Sequence, residues 1–80
     1  MMSEDKGSDA SSLRLVKRSL SIHGHRTSIS LEDAFWTRLR RLAAMRGLSV
    51  SAVIAEIDDA RGEGNLSSAI RVAVLEFLDQ

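Results

Sequence analysis

Residues 26–31, Arg-Thr-Ser-Ile-Ser-Leu, alternate polar and apolar side chains and lead straight into a stretch with helical spacing. That change of period, from two to about 3.6, constrains the fold more than any other feature of the chain. In an extended strand Thr27, Ile29 and Leu31 point to one face, and Arg26, Ser28 and Ser30 to the other. The first set suits a core. The second is small, polar and rich in donors. One strand does not fold alone, and two are marginal without a packed face. A short strand in so small a chain therefore asks for a partner strand, most simply from a second copy. An intersubunit two-stranded ribbon with a polar outer face fits the width of the DNA major groove.

The chain has 80 residues, enough for one small domain with a thin core. Oligomerisation is a common remedy at that size. Cysteine is absent, so there is neither a disulfide framework nor a thiolate metal site, and the cytoplasm is the expected compartment. No apolar run reaches membrane-spanning length, and no membrane association is expected. Net charge is zero, but the signs are segregated. Residues 14–46 carry Arg14, Lys17, Arg18, Arg26, Arg38, Arg40, Arg41 and Arg46 against Glu32 and Asp33. Residues 47–80 carry Arg61 and Arg71 against Glu56, Asp58, Asp59, Glu63, Glu76 and Asp79. A basic block thus sits beside an acidic one, and local potential rather than net charge steers an anionic partner. The plainer alternative is that these charges solvate helix faces.

Residues 1–12 lack apolar periodicity and read as a disordered polar tail, leaving 13–80 as one domain. The segment from Leu13 to Ile22 is ambiguous. Leu20 and Ile22 alternate with Ser19 and Ser21, and the apolar parity switches across His23-Gly24-His25. This pattern fits a turn or bulge at Gly24, so residues 19–31 are two short strands or one bent strand. A first helix is predicted from near Leu31, capped by Ser30 and closed by Gly47, with Phe35, Leu39 and Leu42 on its apolar stripe. A second starts after Ser49 and runs to about Ala60, burying Val50, Val53, Ile54 and Ile57. A third spans about Leu66 to Leu78, capped by Asn65 or Ser67. It is apolar nearly all round, so it requires burial, and in a chain this small that implies a protein partner.

The segment from Arg26 to about Ala60 resembles the ribbon-helix-helix family of DNA-binding proteins. The resemblance rests on the ribbon Arg26–Leu31, the helical apolars Phe35, Leu39 and Leu42, and the Gly47 turn into a Ser49-capped helix. Residues 18–77 as a whole look like a longer bacterial variant of that domain. The family implies a mainly α fold with a short N-terminal β-ribbon, here an intertwined homodimer with an added third helix. Two chains pair their strands antiparallel, and four helices interlock beneath. By position, Arg26, Ser28 and Ser30 contact base edges. Ser49, Val50 and Ser51, at a helix N-terminus, grip a backbone phosphate. Arg14, Lys17 and Arg18 follow the DNA backbone as an arm. Ile29, Leu31, Phe35, Trp36, Leu39, Leu42 and Ile54 form the dimer core. The departure from the shorter members is the third helix, whose Ser67 start is an alternative phosphate site.

Other constellations carry less. His23 and His25 form an H-x-H pair that could hold a divalent metal, but no further His or Cys completes a site, so a polar turn or phosphate contact is preferred. Trp36 is a dimer-interface anchor or seals the core against the third helix. Asp58 and Asp59 diverge by about 100° on a helix and do not share a catalytic site. They are solvated or touch a partner. No nucleophile elbow or Gly-rich phosphate loop is present, so an enzyme is not expected, and no cofactor is implied. The expected function is a sequence-specific transcriptional regulator, a repressor, on double-stranded DNA. The other reading is a dimeric interaction module, antitoxin-like, whose third helix binds a partner protein.

Overall fold

The partner strand that residues 26–31 require comes from the same chain. In the computed structural model, which describes residues 12–79, β1 (Leu15–Ile22) pairs antiparallel with β2 (His25–Glu32), and three helices follow: α1 (Asp33–Arg46), α2 (Val50–Ala60) and α3 (Leu66–Leu78). Ser12 apart, the expected N-terminal tail lies outside the described residues. The turn consists of His23 and Gly24, with φ of 54° and 79°. Two successive residues at positive φ mark the hairpin turn whose twist matches the flanking strands. Glycine meets that demand freely, and histidine is among the residues that tolerate it. The parity switch across the turn is the signature of this geometry. A two-residue loop pairs Ile22 with His25 and Leu20 with Thr27, so even-numbered apolar residues on β1 share a face with odd-numbered ones on β2.

Within this chain the ribbon is formed by β1 and β2 of one copy, with β1 in the position expected of a second copy's strand. The start of α1 also differs from expectation. The strand continues through Leu31 to Glu32, which pairs with Leu15, and Asp33 N donates to the Arg14 carbonyl at 2.8 Å. That ladder keeps Ser30 extended and removes it as a cap. Glu32 is the N-cap, without a side-chain capping bond. The other helix ends follow the sequence. Gly47 closes α1 in the left-handed conformation, its N–H reaching the Ala43 and Ala44 carbonyls. The Ser49 hydroxyl accepts from Ala52 N at 3.0 Å. The α3 cap is Asn65, whose side chain accepts from Ser68 N at 3.1 Å.

The helices pack beneath one face of the hairpin. Ile22, Ile29 and Leu31 from the ribbon meet Trp36, Leu39, Leu42 and Ala43 of α1, Val53 and Ile54 of α2, and Ile70 and Val74 of α3. Six of the residues expected at a dimer core are thus buried within the single chain, and Phe35 is partly buried against them. Among the described residues no polar or charged residue is buried. Trp36 is the largest buried side chain, and its indole N–H donates to the Val16 carbonyl at 2.8 Å. It seals the core against β1, the strand that the alternation of 26–31 did not reveal.

Two polar clips tie the helices to the ribbon. Arg71 of α3 grips both carboxylate oxygens of Glu32 through one guanidinium edge, Nε to Oε1 at 2.9 Å and Nη2 to Oε2 at 3.3 Å. It also lies over the Phe35 ring, 5.8 Å from the centroid. At the other end, His23 Nε2 stands 2.9 Å from Asp59 Oδ1 and 4.0 Å from Asp58 Oδ2, which fastens the hairpin tip to the C-terminal end of α2.

Replacing Trp36 by Phe keeps most of the apolar bulk but removes the donor to Val16. A loss of about 1–2 kcal/mol is expected, measured as a lower urea midpoint with an unchanged slope. The Arg71 hydrogen bonds hold the Glu32 carboxyl below its ordinary pKa. A depressed carboxylate stabilises the fold above its unfolded pKa, and that contribution disappears as pH falls through the folded value. Thermal melts of wild type and Glu32→Gln should therefore differ at neutral pH and converge in acid. A gap that persists unchanged at pH 2 would exclude the pair as its source.

Candidate nucleic-acid interface

Strand alternation divides the hairpin into two chemically distinct faces. The inner face carries Val16, Leu20 and Ile22 from β1, and Thr27, Ile29 and Leu31 from β2, all buried or partly buried. The outer face pairs Lys17 with Ser30, Ser19 with Ser28, and Ser21 with Arg26. Apart from half-buried Ser30, these six residues are exposed. The hydroxyls of Ser19 and Ser28 face each other at 3.4 Å across the middle of the ribbon. A flat hydroxyl floor with a cation towards each end offers donors and acceptors to an approaching polyanion. Among the described residues, neither Lys17 nor Arg26 has a carboxylate partner.

The expected base-contact residues Arg26, Ser28 and Ser30 thus share one face. The structure adds Lys17, Ser19 and Ser21 beside them. Sequence reasoning placed Lys17 on a backbone-tracking arm and gave Ser19 and Ser21 no role. The available signal was Leu20 and Ile22, whose alternation with Ser19 and Ser21 already fits a strand. Arg18 lies on the other face, its guanidinium 5.5 Å from the centroid of the Trp36 ring. Cation–π contact with an indole is worth roughly 0.5–1 kcal/mol at an exposed site, so Arg18 stands over the core's edge rather than among the ribbon's outer residues. Arg14 is exposed just before β1.

The two serine-rich helix starts occupy different surroundings. Ser49, Val50 and Ser51 open α2, and the first amides of a helix form an anion-binding end. The Ser67 hydroxyl, one residue into α3, donates to the Ser30 carbonyl at 3.4 Å. The start of α3 therefore abuts β2. The C-terminal end of α2, held by His23, lies at the hairpin tip.

His23 and His25 do not project from one strand. His23 is in the turn facing Asp59, and His25 is the first residue of β2. Among the described residues no group of three or more His, Cys, Asp or Glu side chains could hold a metal ion. Asp58, besides facing His23, accepts from Arg61 Nε at 2.6 Å. No helix among the described residues is long and apolar enough to cross a membrane.

No curated protein matches the chain. A solved structure of an uncharacterized protein from Bordetella pertussis Tohama I is similar to it, with a TM-score of 0.78 and 34% sequence identity. The match covers 98% of this chain and 66% of that one, so the chain spans just under two thirds of that protein's length. The family model for the ribbon-helix-helix domain matches residues 15–78, which takes in the hairpin and all three helices. With the fold, the two-faced ribbon and this match in agreement, the chain belongs to the ribbon-helix-helix domain family.

Proposed function

We propose that this chain is a sequence-specific DNA-binding transcriptional regulator, a repressor acting in the cytoplasm, that inserts its β-ribbon into the major groove. The observation that carries the reading is the outer face of the hairpin. It is polar and largely exposed, it bears two cations that have no carboxylate partner among the described residues, and a close-packed apolar core braces it from behind. An arginine reaches the O6 and N7 of guanine with two bonds, and serine hydroxyls serve several bases. Arg26 then supplies most of the direct discrimination, with Ser28 and Ser30 filling the groove floor. Phosphate contacts come from the Ser49–Ser51 helix start and from Arg14 and Arg18 beside the ribbon. Membership of the family supports the reading.

One observation favours a protein partner as well. Val72, Leu75 and Leu78 of α3 are 52%, 55% and 51% exposed, although the helix is apolar nearly all round. Leu75 and Leu78 border a groove of about 190 Å³ with Ala34, Phe35 and Val74, and Arg38 stands at its rim. The proposed occupant is a second copy. Asp79, at the C-terminal end of α3, is opposite in sign to Arg38 at the groove's rim, which suits a two-fold contact. A homodimer formed this way presents two ribbons to DNA.

Arg26→Ala should cost about 1–3 kcal/mol of DNA affinity and relax the preference at one base. Fluorescence anisotropy on duplexes across a salt series measures both, and equal affinity for wild type and variant on every duplex removes Arg26 from the reader. Leu75→Glu should convert the dimer to a monomer in analytical ultracentrifugation with the fold retained. A variant that sediments like wild type rules out the α3 contact.

A further inference from the structure

The two strands of the hairpin carry the same pattern. Lys17-Arg18-Ser19-Leu20-Ser21-Ile22 aligns with Arg26-Thr27-Ser28-Ile29-Ser30-Leu31, nine residues later. In both, a cation is followed by serines at alternate positions on the outer face and by large apolar residues on the inner face. The register turns this sequence repeat into a spatial one. Because Lys17 pairs with Ser30, Ser19 with Ser28, and Ser21 with Arg26, a half-turn about the Ser19–Ser28 pair exchanges Lys17 with Arg26 and Ser21 with Ser30. The two hydroxyls at 3.4 Å mark that axis.

We infer that one chain presents a complete, approximately two-fold reader, in which Lys17 is the counterpart of Arg26 and reads a base on the opposite DNA strand. The inference rests on the DNA-binding reading above and specifies what is read. A ribbon built from two identical chains is symmetric because its strands are copies. This hairpin reaches a similar outer face from two non-identical strands joined by a turn. Lys17 and Arg26 lie four residues apart along the ribbon, roughly 13 Å at the rise of a strand. That length corresponds to about four base-pair steps of duplex. Both side chains favour guanine, arginine with two fixed bonds and lysine as a mobile point charge. The preferred element is therefore a short, imperfect palindrome with one guanine on each strand, and its Arg26 arm is the more stringent.

Selection of bound duplexes from a randomised pool, followed by anisotropy titrations of wild type, Lys17→Ala and Arg26→Ala, tests this. Both positions are exposed, and thermal melts check that the variants remain folded. Lys17→Ala should lose roughly tenfold or more in discrimination at one arm only, and Arg26→Ala at the other. A uniform loss of affinity on all sequences with Lys17→Ala, together with a salt slope reduced by about one, makes Lys17 a phosphate contact and overturns the inference. So do two arms that both respond to Arg26→Ala and not to Lys17→Ala, the result expected of a ribbon shared between two chains. Wild-type protein that binds no duplex at low salt defeats the DNA-binding reading itself, and this inference with it.

Discussion

The pairing of β1 with β2 is the constraint on which the rest of the structure depends. Without β1, the backbone of β2 lacks a ladder, and its apolar side chains lack part of their cover. With it, alternation sorts most of the strand residues into an apolar face and a polar one, with Arg18 and His25 the charged or polar exceptions on the inner side. The two-residue turn at His23 and Gly24 closes the ribbon locally, so its loop-closure cost is small. The indole of Trp36 then joins ribbon to helix. It fills the space under β1 and donates to the Val16 carbonyl, so the group that anchors the core also fixes the strand above it. A rigid core of this kind is what a surface needs if it is to hold side chains in fixed register against a ligand.

Local sequence signals were sufficient for the helices. Gly47, Ser49 and Asn65 each perform the capping role that their chemistry suggests. The outer positions of β2 were equally legible, because Thr27, Ile29 and Leu31 alternate without interruption. The first half of β1 was not. Lys17 and Arg18 are adjacent cations, and a charged residue on both faces hides the period. Arg18 occupies an inner-face position yet remains exposed because its guanidinium lies over Trp36 rather than beneath it. Burial of an aromatic from α1 is a tertiary fact that no window of β1 contains. The misplaced cap at Ser30 has the same origin. Ser30 is a good capping residue locally, but the ladder from Leu15 to Glu32 holds it in a strand.

The charge pattern has a similar explanation. The acidic second half of the sequence does not simply form an acidic surface. Glu56 pairs with Arg46 at 2.8 Å, Asp58 with Arg61, and Asp59 with His23. Two of these contacts take up side chains from the basic first half, and Glu32 returns one by gripping Arg71. Exposed ion pairs of this kind add little stability. Their larger effect is on which charges remain available. Among the described residues Lys17 and Arg26 have no carboxylate partner on the ribbon's outer face, while Asp58 and Asp59 near the hairpin tip are occupied by His23 and Arg61. A chain of zero net charge can thereby present a locally basic surface, and local potential governs encounter with a polyanion.

The third helix supplies cover that so small a domain otherwise lacks. Removing it would strip Ile70 and Val74 from the core and Arg71 from Glu32. It would also remove Ser67 from the Ser30 carbonyl, the point where β2 meets the start of α3. An intertwined dimer supplies such cover from a second chain. Here β1 and α3 supply it from within, and six of the seven residues expected at an intersubunit core are buried in one copy. What α3 does not bury is its own far side, where Val72, Leu75 and Leu78 remain open. The exposed apolar side chains of this small domain are thus on the outside of α3, while the ribbon's outer face is polar, so the two surfaces are chemically and spatially distinct.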